Sequence, residues 1–151
     1  APAEETPVEE TAAEPTYTVS ETLTRPVPGE VMTEFSDTPV YSETMRDYRV
    51  HAGTDYTAAH GETVYACANG IVKETHTDML RGNMIVIEHG DYEVRYCGLG
   101  ETFLVHEGDV VTAGQDIGSV TAAPFESALD SHLHIEITRN GEPVDPESVF
   151  G

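Results

Sequence analysis

The stretch SHLHIEI, Ser131 to Ile137, has the alternation of a β-strand with two different faces. Its residues form an apolar set and a polar set: Leu133, Ile135 and Ile137 against His132, His134 and Glu136. Because alternate side chains of an extended strand share a face, about 7 Å apart, one face is apolar and the other presents two imidazoles and a carboxylate. A half-buried strand with a solvated polar side has the same pattern. The interpretation therefore depends on which other residues converge on the polar face.

The composition allows one domain and excludes some classes of function. A chain of 151 residues can form one hydrophobic core but not two. The net charge is −21 and Lys73 is the single lysine. Binding to nucleic acid through phosphate contacts needs clustered cations and is therefore excluded. No uninterrupted apolar run, including residues 84–87, approaches the length needed to span a membrane.

The first 24 residues differ in composition from the rest of the chain. They contain three prolines, many glutamates, no lysine or arginine, and few large apolar side chains. Such a segment cannot bury enough apolar surface to offset its chain entropy. We predict a disordered acidic tether at residues 1–24 and a folded domain at residues 25–151. Because the chain starts inside this segment and without a methionine, we also expect an upstream export signal or membrane anchor.

The remaining sequence is typical of short strands joined by turns. No window of ten or more residues has the 3.6-residue apolar period of a helix. Asn69-Gly70 predicts a hairpin within GETVYACANGIVKETH, and His89-Gly90-Asp91 predicts a second turn. We therefore predict an all-β fold, a compact antiparallel sheet or barrel-sandwich.

Two segments of this β-rich region are similar to each other, which is also seen in small domains that carry lipoyl or biotinyl groups. These segments are HGETVYACANGIV and EGDVVTAGQDIGSV. A carrier domain needs an attachment lysine at the tip of a hairpin. Lys73 instead falls inside a predicted strand, which disfavours this alternative.

The stretch HAGTD offers partners for His134. It places the imidazole of His51 and the carboxylate of Asp55 four residues apart, and positions i and i+4 of a strand share a face. Gly53 between them allows a neighbouring backbone to approach closely. Two histidines and one carboxylate, with a fourth position left for water, are the pattern of catalytic zinc sites. The sequence therefore predicts a zinc site formed by His51, Asp55 and His134.

HAGTD, followed at residues 132–137 by HLHIEI, resembles the lysostaphin-type (LytM-like) zinc metallopeptidases, which cleave peptidoglycan peptides. The similarity extends over residues 25–150 and includes GNMIVIEHG and GEPVDPESVF. The resemblance implies that His51, Asp55 and His134 bind zinc. It also implies that His132 is a catalytic histidine beside the metal. In such a site zinc polarises the scissile carbonyl, and the histidine assists by proton transfer or hydrogen bonding.

Two stretches depart from the family pattern. The Tyr-x-His-Leu motif of the family is YCGL at residues 96–99, so Gly98 stands where another catalytic histidine is expected. The glycine-rich approach to the last motif is replaced by TAAPFESALDS, residues 121–131. These features resemble the subgroup around stage II sporulation protein Q. That subgroup contains membrane-anchored proteins that dock a partner, some of which have lost peptidase residues.

Two functions of different classes therefore remain open. One is a peptidoglycan endopeptidase whose activity is weakened by Gly98. The other is an inactive zinc-bearing scaffold that docks a partner protein at the cell envelope, for instance through an exposed strand edge. His132 favours the first function and Gly98 favours the second. Both imply an extracytoplasmic domain.

The two cysteines are expected to be structural. An exported protein could pair Cys67 with Cys97, but we predict two unpaired, buried thiols. Since Cys97 alternates with Tyr96 and Gly98, its thiol should point away from the face that those two residues share. It is therefore not expected to replace the missing histidine.

Overall fold

The computed structural model describes residues 16–150, so the prediction of disorder for residues 1–15 lies outside the described part of the chain. The strands are β1 Val31–Thr33, β2 Ser36–Ser42, β3 Asp47–His51, β4 Thr54–Thr57, β5 Thr63–Tyr65, β6 Gly70–Asp78, β7 Gly82–His89, β8 Tyr92–Leu99, β9 Val110–Val111, β10 Asp116–Ser119, β11 His132–Arg139 and β12 Glu142–Val144. A 3₁₀ helix covers Pro124–Glu126 and a short helix, α1, covers Pro146–Val149. The predicted all-β class is confirmed. Over the described range, the chain has no helix with the length and apolar character needed to cross a membrane.

One large antiparallel sheet organises the domain. Its strand order is β1-β4-β11-β8-β7-β6-β9, with β12 also paired to β11. Two small sheets, β5–β10 and β2–β3, complete the architecture. The turn between β7 and β8 forms as predicted, with His89 opposite Tyr92. The hairpin predicted at Asn69-Gly70 is wrong, because β5 pairs with β10 whereas β6 pairs with β7 and β9.

Strand β11 lies inside the large sheet, between β4 and β8. Its apolar residues Leu133, Ile135 and Ile137 are fully buried in the main hydrophobic core. The alternation of the sequence therefore assigns the apolar face correctly. The opposite face, with the two histidines, lies against other elements of the fold and is also buried.

Residues 17–24 contact the domain, in contrast to the disorder predicted for them. The Tyr17 hydroxyl donates to the Glu88 carboxylate (2.7 Å), and the Thr24 N–H donates to the Cys67 carbonyl oxygen (2.9 Å). Leu23 is only 4% exposed and forms a parallel bridge with Phe150. The predicted domain boundary is therefore too late. A few apolar and aromatic side chains suffice to hold this segment because its backbone also pairs with the domain.

Candidate metal centre

The centre of the site is a pair of residues on two adjacent strands. His134 of β11 lies directly opposite Asp55 of β4, with 2.7 Å between His134 Nδ1 and Asp55 Oδ1. Both side chains are buried. Gly53 makes this close packing possible, because a Cβ there would lie 2.2 Å from the Ile135 carbonyl oxygen. The role predicted for this glycine, close approach of a neighbouring backbone, agrees with this contact.

His51 reaches the same point from a different sheet. It ends β3, whereas Asp55 belongs to β4, so the two residues do not share one strand as the spacing predicted. His51 Nε2 nevertheless lies 3.4 Å from Asp55 Oδ2. Its other ring nitrogen, Nδ1, donates to the Glu34 carbonyl oxygen (2.9 Å), since a carbonyl can only accept. This contact orients the ring with Nε2 toward the site.

The orientation of His134 is set in the same way. Its Nε2 lies 2.9 Å from the Glu136 carboxylate, which also accepts from Arg81 Nε at 2.9 Å. Nδ1 is thereby directed at Asp55. Burial opposes ionisation of Glu136, but the hydrogen bonds from His134 and Arg81 outweigh it and lower the pKa of Glu136 to about 2. Glu136 is therefore a charged acceptor that holds the ring.

His132 faces the site without joining the group of side chains that can hold a metal. Its Nδ1 donates to the Asp130 carbonyl oxygen (2.7 Å). Its Nε2 lies 3.7 Å from Asp55 Oδ1 and 3.0 Å from Glu126 Oε1. The two histidines of β11 thus occupy different positions relative to the cluster, which is compatible with the separate roles expected for them.

Glu126 is the site residue that sequence reasoning missed. It ends the 3₁₀ helix within residues 121–131, is 6% exposed, and reaches into the centre of the cluster. One carboxylate oxygen lies 2.6 Å from His51 Nε2 and the other 3.0 Å from His134 Nδ1. The only signal in the sequence was that this stretch departs from the family pattern. A glutamate six residues before His132 has no periodic relation to the strand.

In the cluster, the buried carboxylates and the imidazoles stabilise each other's charged forms. Burial opposes protonation of His51, but Asp55 and Glu126 outweigh it and raise its pKa to about 9. The pKa of His134 is raised well above its usual value for the same reason, by Asp55, Glu126 and Glu136. The pKa of Glu126 is strongly lowered, because the three histidines outweigh its burial. The carboxylates of the site therefore favour positive charge beside them.

A divalent cation would supply that charge through the same atoms. His51, Asp55, Glu126 and His134 each offer one ligand atom, and these atoms lie within 4.8 Å of one another. Asp55 Oδ2 is buried and has no hydrogen-bond partner, which is unfavourable unless a cation binds it. Two imidazole nitrogens with carboxylate oxygens form a donor set that zinc accepts in tetrahedral geometry. The residues present therefore fit a metal of this type.

The backbone of residues 121–131 covers Gly98, the residue expected to stand in place of a catalytic histidine. Gly98 has φ +78°, a left-handed conformation. A Cβ there would lie 2.8 Å from the Ala123 nitrogen and 3.0 Å from the Ala122 carbonyl carbon. The Thr121 N–H also donates to the Gly98 carbonyl oxygen (2.7 Å). A side chain at residue 98 is therefore disfavoured both by backbone conformation and by crowding.

Cys97 points away from Tyr96, as predicted, but the site lies on the Cys97 side of the strand, so the expectation that the thiol faces away from the site is wrong. Cys97 pairs with His134 across β8 and β11, and its sulfur lies within 4.8 Å of ligand atoms of His134 and Glu136. It is Tyr96 that faces the core, and the left-handed Gly98 interrupts the alternation from which the prediction was made. Burial raises the pKa of the Cys97 thiol to about 12, so it stays protonated and is a poor nucleophile. Both cysteines are free and buried, as predicted.

The fold and the site together define an all-β domain that carries, at the middle of its sheet, a histidine-carboxylate cluster able to hold a metal ion. The profile described as Peptidase family M23 matches residues 49–146. The chain belongs to this family, and the resemblance to LytM-like peptidases is confirmed.

Individual relatives agree with this assignment. The peptidoglycan DD-endopeptidase ShyA of Vibrio cholerae is 36% identical over 96 residues, which are 63% of this chain and 22% of ShyA. The chain thus spans less than a quarter of that relative. A zinc-containing peptidase from Vibrio cholerae superposes with a TM-score of 0.69 at 27% identity, over 85% of this chain and 39% of the other. A chain of the SpoIIQ–SpoIIIAH pore-forming complex shares the fold, with a TM-score of 0.74 at 22% identity over 86% of this chain and 91% of the other.

Proposed function

We propose that this domain binds one zinc ion through His51, Asp55 and His134 and is directed at peptidoglycan peptides, with weakened endopeptidase activity. The observation that carries the proposal is the convergence of these three side chains, with Asp55 Oδ2 buried and without a hydrogen bond. Relatives named as a peptidoglycan endopeptidase and as a zinc-containing peptidase support it. Because peptidoglycan lies outside the cytoplasmic membrane, the proposal includes an extracytoplasmic location.

The residues of the site divide between holding the metal and acting on substrate. Zinc, when bound, lowers the pKa of a water molecule and polarises a peptide carbonyl. The Glu34 carbonyl and the Glu136 carboxylate hold His51 and His134 in orientation. His132 is held by the Asp130 carbonyl with Nε2 toward the site, where it can exchange a proton or donate a hydrogen bond.

A second candidate function is an inactive zinc-bearing scaffold that docks a partner protein at the cell envelope. One observation favours it: Gly98 and the backbone over it leave no room for the imidazole of the Tyr-x-His-Leu motif. Proton-transfer and electrostatic groups contribute about 10²–10⁴-fold in rate each, so this loss alone would make hydrolysis slow. A resemblance to the sporulation protein Q subgroup would fit this alternative.

Zinc content tests the assignment of the ligands. We expect about one zinc per chain in the wild type, loss of the metal in His134→Ala, and retention of most of it in His132→Ala, because only His134 is a proposed ligand. Equal zinc content in all three proteins would contradict the assignment.

Turnover separates the two functions. The assay is release of soluble peptide from purified cell wall, with His132→Ala as the control that keeps the metal. Slow release that disappears in His132→Ala supports the endopeptidase. No release by zinc-loaded wild type favours the scaffold.

A further inference from the structure

We infer that Glu126 is a fourth protein ligand of the metal, and that residues 121–131 form a built-in plug that closes the site to water and substrate. The inference rests on the proposed zinc site. It adds a ligand to that site and assigns a regulatory role to the segment that carries it.

The contacts of Glu126 define its position in the cluster. Its two carboxylate oxygens lie against His51 Nε2 and His134 Nδ1. These are the nitrogens that face the proposed metal, because the other nitrogen of each ring is held by Glu34 or Glu136. A further contact, of 3.0 Å, joins it to His132 Nε2. All of the side-chain contacts that the structure gives this carboxylate are with the site histidines. Glu126 therefore has no other visible role that would explain a buried charge.

The plug is held firmly enough to place a ligand. At its start, Thr121 donates to the Gly98 carbonyl oxygen and the Phe125 N–H donates to the Leu80 carbonyl oxygen (2.9 Å). The Phe125 ring packs edge-on against His134, with 5.0 Å between ring centroids. Beyond Glu126, the Ala128 N–H donates to the Thr44 hydroxyl (2.9 Å). Anchors on both sides reduce the entropy cost of holding the carboxylate in the site.

A fourth protein ligand changes what the metal can do. Catalytic zinc sites keep one coordination position for water or substrate, whereas sites with four protein ligands are structural. The same plug also covers Gly98 with its backbone, so both departures from the family pattern lie in one local structure. The plug must withdraw before a peptide can bind. A cavity of about 210 Å³ beside it, lined in part by Tyr41, His51 and Phe125, borders Glu126 directly.

Cobalt spectroscopy tests the inference without an activity assay. Co²⁺ is loaded in place of zinc, and its visible absorption is followed while acetohydroxamate, a small metal-chelating anion, is added. We expect the wild-type spectrum to remain unchanged, because four protein ligands leave no exchangeable position. In Glu126→Ala, acetohydroxamate should bind and shift the bands. Zinc affinity in the same variant should fall by at least about 10-fold, because the loss of a residue that only supports a metal ligand already lowers affinity about 10–100-fold.

Two further variants serve as controls, one for misfolding of Glu126→Ala and one for the loss of a glutamate outside the site. Glu126→Ser keeps a polar side chain that is too short to replace the carboxylate, and it should also open the site if the alanine variant does not fold. Glu101→Ala removes an exposed glutamate outside the site and should behave like wild type. A wild type that binds one Co²⁺ and exchanges ligands as readily as the Glu126 variants would overturn the plug but not the metal site. A wild type that binds no Co²⁺ would overturn the proposed function itself.

Discussion

Replacing Gly98 with histidine would create a Tyr-x-His-Leu sequence at residues 96–99, yet the structure predicts a less stable protein with no gain in activity. A non-glycine residue in the left-handed conformation of Gly98 (φ +78°) costs about 1–2 kcal/mol. Its Cβ would also meet the Ala122–Ala123 backbone at 2.8–3.0 Å, and overpacking typically costs about 1–3 kcal/mol. We therefore expect the free energy of unfolding to fall by about 2–5 kcal/mol. Because the plug covers this position, the new imidazole should not reach substrate.

Urea unfolding of four proteins measures both contributions: wild type, Gly98→His, Gly98→Ala and Gly61→Ala. Gly61 has φ +88° with nothing within 4 Å of an added Cβ, so Gly61→Ala should show only the backbone cost. The excess loss in Gly98→Ala then reports the crowding. Peptide release from purified cell wall is measured in parallel at equal zinc content. A Gly98→His protein as stable as wild type, or one that releases peptide 10-fold faster, would refute the placement of the plug over Gly98.

Leu23→Ala should lower the free energy of unfolding by about 2–4 kcal/mol, because Leu23 is only 4% exposed. The control is Val19→Ala in the same urea titration, which should have little effect because Val19 is 60% exposed. Burial lowers the pKa of His89 from 6.5 to about 4. Between these pH values the unfolded state therefore binds a proton more readily than the folded state does. The free energy of unfolding should fall by up to about 3 kcal/mol as the pH drops from 6.5 to 4. Metal-free His89→Gln, compared with metal-free wild type by urea unfolding at each pH, should lack this component; parallel pH profiles would contradict the prediction. Glu136→Ala should weaken zinc binding about 10–100-fold in a competition titration with a chelator, because His134 loses its outer acceptor, and an unchanged affinity would contradict that role.

Much of the fold was predictable because β-sheet signals are local. The alternation in Ser131–Ile137 assigned the apolar face of β11 to the core, and the turn after His89 formed as expected. The Asn69-Gly70 signal failed because strand pairing is decided between distant segments. Asn69 instead uses its side chain to bind the Thr18 carbonyl oxygen and the Ala113 N–H. A turn dipeptide favours a hairpin, but tertiary pairing overrides it where another strand is available.

The candidate site was predictable only in part, for a related reason. His51, Asp55 and His134 do converge, although from two different sheets rather than from shared strands. The thiol of Cys97 was expected to face away from the site, but a single left-handed glycine changes the alternation on which that expectation rests. Such a change depends on what packs against the glycine, and here that is the backbone of residues 121–131.

The sequence by itself determined the fold class, the two-faced strand and three of the four side chains that can hold a metal. These features depend on period-2 alternation and on residue types at short spacing, which act within a few residues of the chain. Only the tertiary structure decided that Glu126 enters the cluster, that Gly98 is covered, and that residues 17–24 pack on the domain. Each of these depends on irregular segments whose positions are set by contacts with distant strands. No local pattern encodes such contacts, because an irregular segment has no repeating geometry from which its side-chain directions can be inferred.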